Sequence, residues 1–375
     1  MRIGLDATRI HLPTGEGTYV RQIVLHLARQ FPNDSFIVLV PEHRDELTLS
    51  NITQVPFGAI DGLRGRLKYF LTVGKLLEHL KVDVFHNLSN YGFCNSPCPT
   101  VTTVHDLMSR KFPELRPSRI QGLIYRYALP KVLGLSQCIA ASSQSTVNDL
   151  NEFYKLKIPI RLTYLGFDKN RFTSTIDSDE EILARYALSP GYVLFVGYLT
   201  PKKNVEVVVR AMAVLKAKGL TLRLVLAGKK GHGTEGLKQL IEMLGLERQV
   251  REIGYVPEEH LPALYRQSRI FVFPSIYEGF GLPVLEAMAC GTAALASNVS
   301  SLPEVVGNPE CLCPPHDEMA WASAIQKLFT DDAYRDAVIS QGKCQAEKFS
   351  WVACASALHK IYADLGQNTR CQTSS

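Results

Sequence analysis

Short runs of consecutive apolar residues alternate along this chain with stretches in which apolar residues recur every three to four positions. The runs at 2–7, 36–40, 82–86, 100–105, 138–142 and 161–166 predict buried strands, and the periodic stretch 18–31, through Val20, Ile23, Val24, Leu27 and Ala28, predicts a helix. The pattern then repeats: strands at 192–196, 222–227, 250–255, 270–273 and 293–296, with helices at 205–216, 235–244, 260–266 and 283–291. Strand and helix alternating in this way predict an α/β chain with two doubly wound parallel sheets. Apolar density falls across 167–179, which sets the boundary between a domain of residues 1–170 and one of 171–349. A last helix follows Trp351 through Ala353, Leu358, Ile361 and Tyr362, and structure is expected to fade after Gln367.

Composition narrows the picture only a little. The chain has 375 residues, 46% of them hydrophobic, enough to bury two cores. A net charge of +5 does not call for a nucleic-acid partner. No apolar stretch has the length of a membrane span, and Met1 runs directly into a strand, so a cytoplasmic protein is expected. Nine cysteines at scattered positions, with Cys94/Cys98 and Cys311/Cys313 the close pairs, read as reduced thiols. Two basic amphipathic segments, 62–81 and 116–135, read by default as packed helices with a charged face. The alternative is a face that meets anionic headgroups.

Candidate chemistry gathers where strands end. After the run 270–273 come Glu278, Gly279, Phe280, Gly281 and Leu282, and then a helix with proline at its start and Glu286 in its first turns. The first turn of a helix carries unpaired N–H groups and a positive dipole end, so the Phe280, Gly281 and Leu282 amides suit an anionic or hydroxyl-rich ligand. Two carboxylates beside such a cradle can each accept paired hydroxyl hydrogen bonds. Either acid alone would read as a solvated or dipole-complementing residue. After the run 192–196, Lys202 and Lys203 sit near the start of a helix, a natural arrangement for a diphosphate. Gly15 and Gly17 open the first helix, although Val20 breaks the dinucleotide fingerprint. His105 and Asp106 follow a strand at the edge where doubly wound sheets bind ligands; on position alone, a histidine satisfied at a domain interface fits equally. Asp177-Ser178-Asp179 has the spacing of a cation-binding pair, but it precedes an acidic helical turn and reads as a cap.

The order Glu278-Gly-Phe-Gly-Leu-Pro-Val-Leu-Glu286 resembles the Glu-x7-Glu motif of retaining glycosyltransferases of the GT-B fold, family-4 type. The resemblance extends over almost the whole chain and is strongest at 197–307. Pro201-Lys202-Lys203-Asn204 is similar to the family's phosphate loop with lysine in place of arginine, and the Gly15 to Tyr19 loop is similar to its Gly-rich loop, departing at Glu16 and Thr18.

This resemblance implies two Rossmann-like domains facing a central cleft, the first binding acceptor and the second the donor, with the helix at 350–367 packing back on the first. It implies transfer of a hexose from a nucleotide sugar with retention, without a metal or other cofactor. Glu278 would hold the donor sugar, Glu286 the ribose, Lys202, Lys203 and the 280–282 amides the diphosphate, and His105 with Asp106 the reacting sugar. The look is closest to bacterial polysaccharide mannosyltransferases. That points to GDP-mannose and a glycan or lipid-linked acceptor, with peripheral contact at an anionic inner membrane face left open. UDP-glucose or another UDP-sugar, or a nucleotide-sugar hydrolase or epimerase of the same fold, is the alternative. A dinucleotide oxidoreductase lacks its fingerprint here.

Overall fold

A computed structural model describes residues 1–58, 62–89, 95–115, 126–127, 129–175 and 179–373, without the side chains of residues 62–64, 66 and 368–373. The chain forms two compact units, Met1–Gly166 with Ser350–Ser375, and Phe167–Phe349.

The first unit holds a seven-stranded parallel sheet in the order β3-β2-β1-β4-β5-β6-β7. Its strands are β1 (Arg2–Asp6), β2 (Ser35–Val40), β3 (Ile52–Pro56), β4 (Val84–Asn87), β5 (Thr100–Val104), β6 (Cys138–Ala141) and β7 (Ile160–Leu162). Five of them lie where the apolar runs put them, with ends moved by one or two residues. β7 stops at Leu162 instead of reaching 166, and β4 starts at Val84 after Lys81 takes a left-handed turn. β3 is the edge strand the pattern did not show: it is only half-buried, so its sequence carries no apolar run.

Side chains from both faces fill the core. On one face, toward the β3 edge, Ile37, Leu39 and Phe85 pack with Tyr69, Val73 and Leu77 of the helix Gly62–His79, and on the same face, toward the β7 edge, Val104, Ile139 and Leu150 pack with Leu129 and Leu133. On the helix Gly62–His79 the apolar residues divide. Leu67, Phe70 and Leu71, spaced three and one apart on one face, are 56%, 49% and 61% exposed. Lys68 and Lys75 flank them in solvent. The Arg64 and Arg66 side chains, most of segment 116–135, Cys94, Asp177 and Ser178 lie outside the described residues.

The helix Trp351–Thr373 packs against the helix Gly15–Gln30 and β4. It runs past Gln367, where the sequence suggested that structure fades. A helix pinned upstream by buried Leu358, Ile361 and Tyr362 extends without a new nucleation cost.

The second unit repeats the plan in a six-stranded parallel sheet of order β10-β9-β8-β11-β12-β13. These strands are β8 (Tyr192–Val196), β9 (Leu224–Ala227), β10 (Val250–Gly254), β11 (Ser268–Phe273), β12 (Ala293–Ser297) and β13 (Leu312–Cys313). Two helices not anticipated, Glu318–Thr330 and Asp332–Ala346, pack against the helices Val205–Ala217 and Leu282–Ala289 respectively; Trp321 and Ile325 of the first are fully buried. Asp179 does more than begin an acidic turn. It is buried and takes a paired contact from Arg266 at 2.6 and 3.0 Å, with Gln267 at 2.9 Å. The cysteines whose side chains are described are free thiols, Cys311 and Cys313 included. No helix among the described residues is long and apolar enough to cross a membrane.

Candidate functional site

Each sheet reverses its winding once, between β1 and β4 in the first unit and between β8 and β11 in the second. The loops leaving two such central strands turn to opposite faces and leave room beyond their carboxyl ends, which is where ligands of doubly wound sheets bind. Candidate residues collect at both reversals.

In the second unit the loop after β8 runs through a single helical turn, Pro201–Lys203, and Asn204 in left-handed conformation (φ 52°) before the helix Val205–Ala217. Asn204 holds this bend by donating to Pro274 O at 3.2 Å and Pro315 O at 2.5 Å. The loop after β11 is laced to it, with Ile276 N–H donating to Lys202 O at 3.0 Å. The lacing brings Lys203 Nζ to 2.6 Å from Glu278 Oε1 and Lys202 Nζ to 3.8 Å from Oε2. Lys203 also lies 4.5 Å from the centre of the Phe273 ring. Buried Ser275 donates from Oγ to Glu278 Oε1 at 2.5 Å. Burial alone would raise the Glu278 carboxyl, but Lys202, Lys203 and the bonds from Lys203 and Ser275 together hold it below the usual range. Glu278 is therefore an ionised, clamped carboxylate.

The turn that follows is fixed from behind. Glu278 N–H donates to Ser300 Oγ at 2.9 Å, and Ser301 Oγ lies 2.7 Å from Phe280 O and 3.0 Å from Glu278 O. Ser300 adopts φ 53° to make its contact, a conformation serine seldom takes. Gly281 has φ 117°, and a Cβ there would stand 2.8 Å from Leu302 Cδ2, so the turn requires glycine. The amides of residues 280–282 thus sit at the positive end of the helix Leu282–Ala289, in the turn that leaves the lysine-held Glu278. Two lysines and one carboxylate leave one net positive charge there.

Glu286 stands one turn into this helix, half-buried, and accepts from Tyr265 OH at 3.1 Å. Burial pushes its carboxyl up to about 7; the Tyr265 bond works against that, Glu258 adds to it, and Arg171, itself paired with Glu258 at 2.8 Å, opposes it. The site therefore holds one carboxylate fixed by cations and a second near its neutral form, both suited to hydroxyl groups. Sequence reasoning assigned no individual role to Ser275, Ser300, Ser301, Asn204 or Tyr265. Ser275, just ahead of Glu278 in the same loop, was the available signal, since buried carboxylates need donors. The glycine-rich turn after β9, with Lys229 and Lys230, is exposed; Lys230 pairs with Glu252 at 2.8 Å, and Gly228 lets the turn lie against Gly197 O.

In the first unit, Asp6 at the end of β1 is buried and accepts from Thr8 N–H at 3.0 Å, Thr8 Oγ1 at 2.6 Å and Tyr69 OH at 2.8 Å. Thr14 caps the first helix. Gly17, expected to let a phosphate approach, is buried, and its missing side chain makes room for Leu12 O, which a Cβ would meet at 2.0 Å. Gly15 is exposed at the helix start, and Glu16 lies 2.7 Å from Arg9 Nε. His105 donates from Nε2 to Leu88 O at 3.1 Å. Burial lowers its pKa, with Glu16, the Leu88 carbonyl and Asp106 acting in the opposite sense and Arg9 in the same. Asp106 accepts from Met108 N–H at 3.0 Å and so starts the short helix Met108–Lys111. Lys202, Lys203, Glu278, the 280–282 amides and Glu286 thus form one group, while Gly15, Gly17, His105 and Asp106 lie in the first unit.

Two family models match the chain: "Glycosyl transferases group 1" over residues 179–345 and "Glycosyltransferase Family 4" over residues 13–171. O-antigen chain mannosyltransferase B of Escherichia coli is 34% identical over 371 residues, spanning 93% of this chain and 96% of that protein. Among solved structures, sucrose-phosphate synthase from Thermosynechococcus elongatus superposes with TM-score 0.80 over 97% of this chain and 99% of its own, at 23% identity. Anabaena Alr3699/HepE, solved in complex with UDP-glucose, does so with TM-score 0.75 over 97% and 100% at 19% identity.

Proposed function

This chain belongs to the group 1, family 4 glycosyltransferases, and on that premise we propose that it transfers mannose from GDP-mannose, with retention and without a metal, to a growing glycan or lipid-linked acceptor. The observation that carries the reading is the lysine pair held on Glu278 beside the amides of 280–282. Charge builds on the diphosphate as the glycosidic bond breaks. Lys202, Lys203 and the helix end stabilise that charge where it develops, the role a divalent cation would otherwise fill. When the diphosphate takes up the lysines, Glu278 is released to accept hydroxyls of the donor sugar, and Glu286 accepts those of the ribose. His105 contacts the sugar near the reacting carbon, and the first unit holds the acceptor. Mannose as the sugar is supported by the mannosyltransferase relative that matches along nearly its whole length.

The exposed strip Leu67, Phe70 and Leu71 with Lys68 and Lys75 supports peripheral contact with an anionic membrane, where a lipid-linked acceptor would be found.

The test is a donor screen in the presence of chelator. GDP-, UDP- and dTDP-sugars are offered, and released nucleoside diphosphate is measured with and without mannose oligosaccharide. Turnover of GDP-mannose, lost in Glu286→Ala and Lys203→Ala, is expected. Turnover of a UDP-sugar in its place overturns the donor. A requirement for added Mg²⁺ or Mn²⁺ overturns the metal-free mechanism, and donor loss that mannose oligosaccharide does not accelerate points to a hydrolase.

A further inference from the structure

Behind His105 the core of the first unit contains a line of polar side chains where apolar ones would pack. Tyr362 of the C-terminal helix places its OH 2.5 Å from His86 Nδ1 on β4. His86 Nε2 lies 2.8 Å from Thr103 Oγ1 on β5, and Thr103 Oγ1 lies 2.9 Å from Tyr19 OH on the helix Gly15–Gln30. All four residues are buried to within 1% of fully. The Tyr19 ring then meets the His105 ring edge-on, with centroids 4.6 Å apart at 81°. His105 takes its second restraint from Leu88 O, two residues beyond His86 at the end of β4.

Burial pushes His86 down to about 3 and keeps the Tyr19 and Tyr362 phenols protonated, so the line carries no charge at neutral pH. Stability alone does not call for it. Replacing a satisfied buried polar pair by apolar groups of the same shape is close to neutral, whereas removing one partner leaves its neighbour unsatisfied. What four hydrogen-bonding groups on four elements supply is a fixed geometry, because each bond sets the direction of the next.

We propose that Tyr362, His86 and Thr103 are positioning residues that set the attitude of the His105 imidazole through Tyr19. This rests on the reading of His105 as the group that contacts the transferred sugar. The C-terminal helix thereby reaches the reacting centre through the protein interior, without touching substrate.

Thr103→Val keeps the shape and removes the link between His86 and Tyr19, and Thr103→Ser restores a hydroxyl. With GDP-mannose, or the screened donor turned over in its place, and mannose oligosaccharide as acceptor, Thr103→Val is expected to lower kcat roughly 10- to 100-fold with donor KM unchanged. Thr103→Ser is expected to recover most of the loss. In a His105→Ala background, itself slow, Thr103→Val is expected to add nothing, as for residues that act as one unit. Tyr362→Phe carries the same expectations and serves should Thr103→Val melt below the assay temperature. Wild-type kcat in folded Thr103→Val and Tyr362→Phe, or a loss that adds in full to that of His105→Ala, overturns the relay alone. Wild-type kcat in His105→Ala overturns the reading of His105, and the relay with it.

Discussion

The two sheets wind in the same order around their reversal points and place opposite chemistry behind them. Behind the second sheet's reversal stand an ionised carboxylate, two lysines and a carboxyl near its neutral form. Behind the first stand a neutral imidazole, two phenols and a threonine hydroxyl in one buried line. Charged partners can be exchanged, since a lysine that leaves Glu278 for a phosphate oxygen keeps a charged partner throughout. A neutral line in a low-dielectric interior has no such alternative, and its bonds stay where they are. On the proposed function, one scaffold therefore carries a site built to rearrange around a changing charge and another built to hold still.

The contrast breaks most sharply at Lys203. Lys203→Ala is expected to lower kcat by about 10²- to 10³-fold, the scale for removing one donor to a developing anion. Donor turnover and melting temperature measured together check it, and a loss below about threefold would assign the charge stabilisation elsewhere. A smaller effect probes the first unit's surface. Leu71→Ser is expected to weaken cosedimentation with phosphatidylglycerol vesicles by about tenfold, from the apolar area of one leucine, and to leave turnover of soluble substrates unchanged; equal sedimentation of both proteins removes the membrane reading.

The smallest effect is in pH. Glu286 has a folded value of about 7 against an ordinary 4.5, so between them the folded state holds the extra proton and this group's contribution to stability falls as pH rises, levelling above about 7. Glu278 is shifted the other way: its contribution is present above the ordinary value and is lost as pH falls below it. The melting temperature of the wild type minus that of Glu286→Gln is therefore expected to fall between pH 5 and pH 7, by a few degrees at most. A flat difference would mean that the Glu286 carboxyl is better solvated than its surroundings imply.

Much of this architecture is legible in the amino-acid order. Strands buried on both faces, such as β8 and β11, announce themselves as unbroken apolar runs, and turns that need glycine or proline mark their ends. β3 is silent because an edge strand needs burial on few positions. The loops bearing Lys202, Lys203 and Glu278 are visible as composition at strand ends, but their meeting is not. It depends on Asn204 and on the Ile276 to Lys202 bond, which join segments about 70 residues apart. Gly17 carries a reason of its own that the sequence does not show: the space its missing side chain leaves is filled by a backbone carbonyl that only the fold brings there. The His86 line is the least legible of all, since its members lie on four elements and none belongs to a local motif.

The return of the last helix to the first unit has a consequence for synthesis. Residues 167–349 form a continuous unit, complete as soon as they have left the ribosome, whereas the other unit, which starts earlier in the chain, still lacks the helix that begins at Trp351. Until Tyr362 emerges, His86 has no hydroxyl at Nδ1, and the apolar surface that β4 and the first helix present to the last helix lies open to water. Of the two units, the one translated earlier is the one finished later.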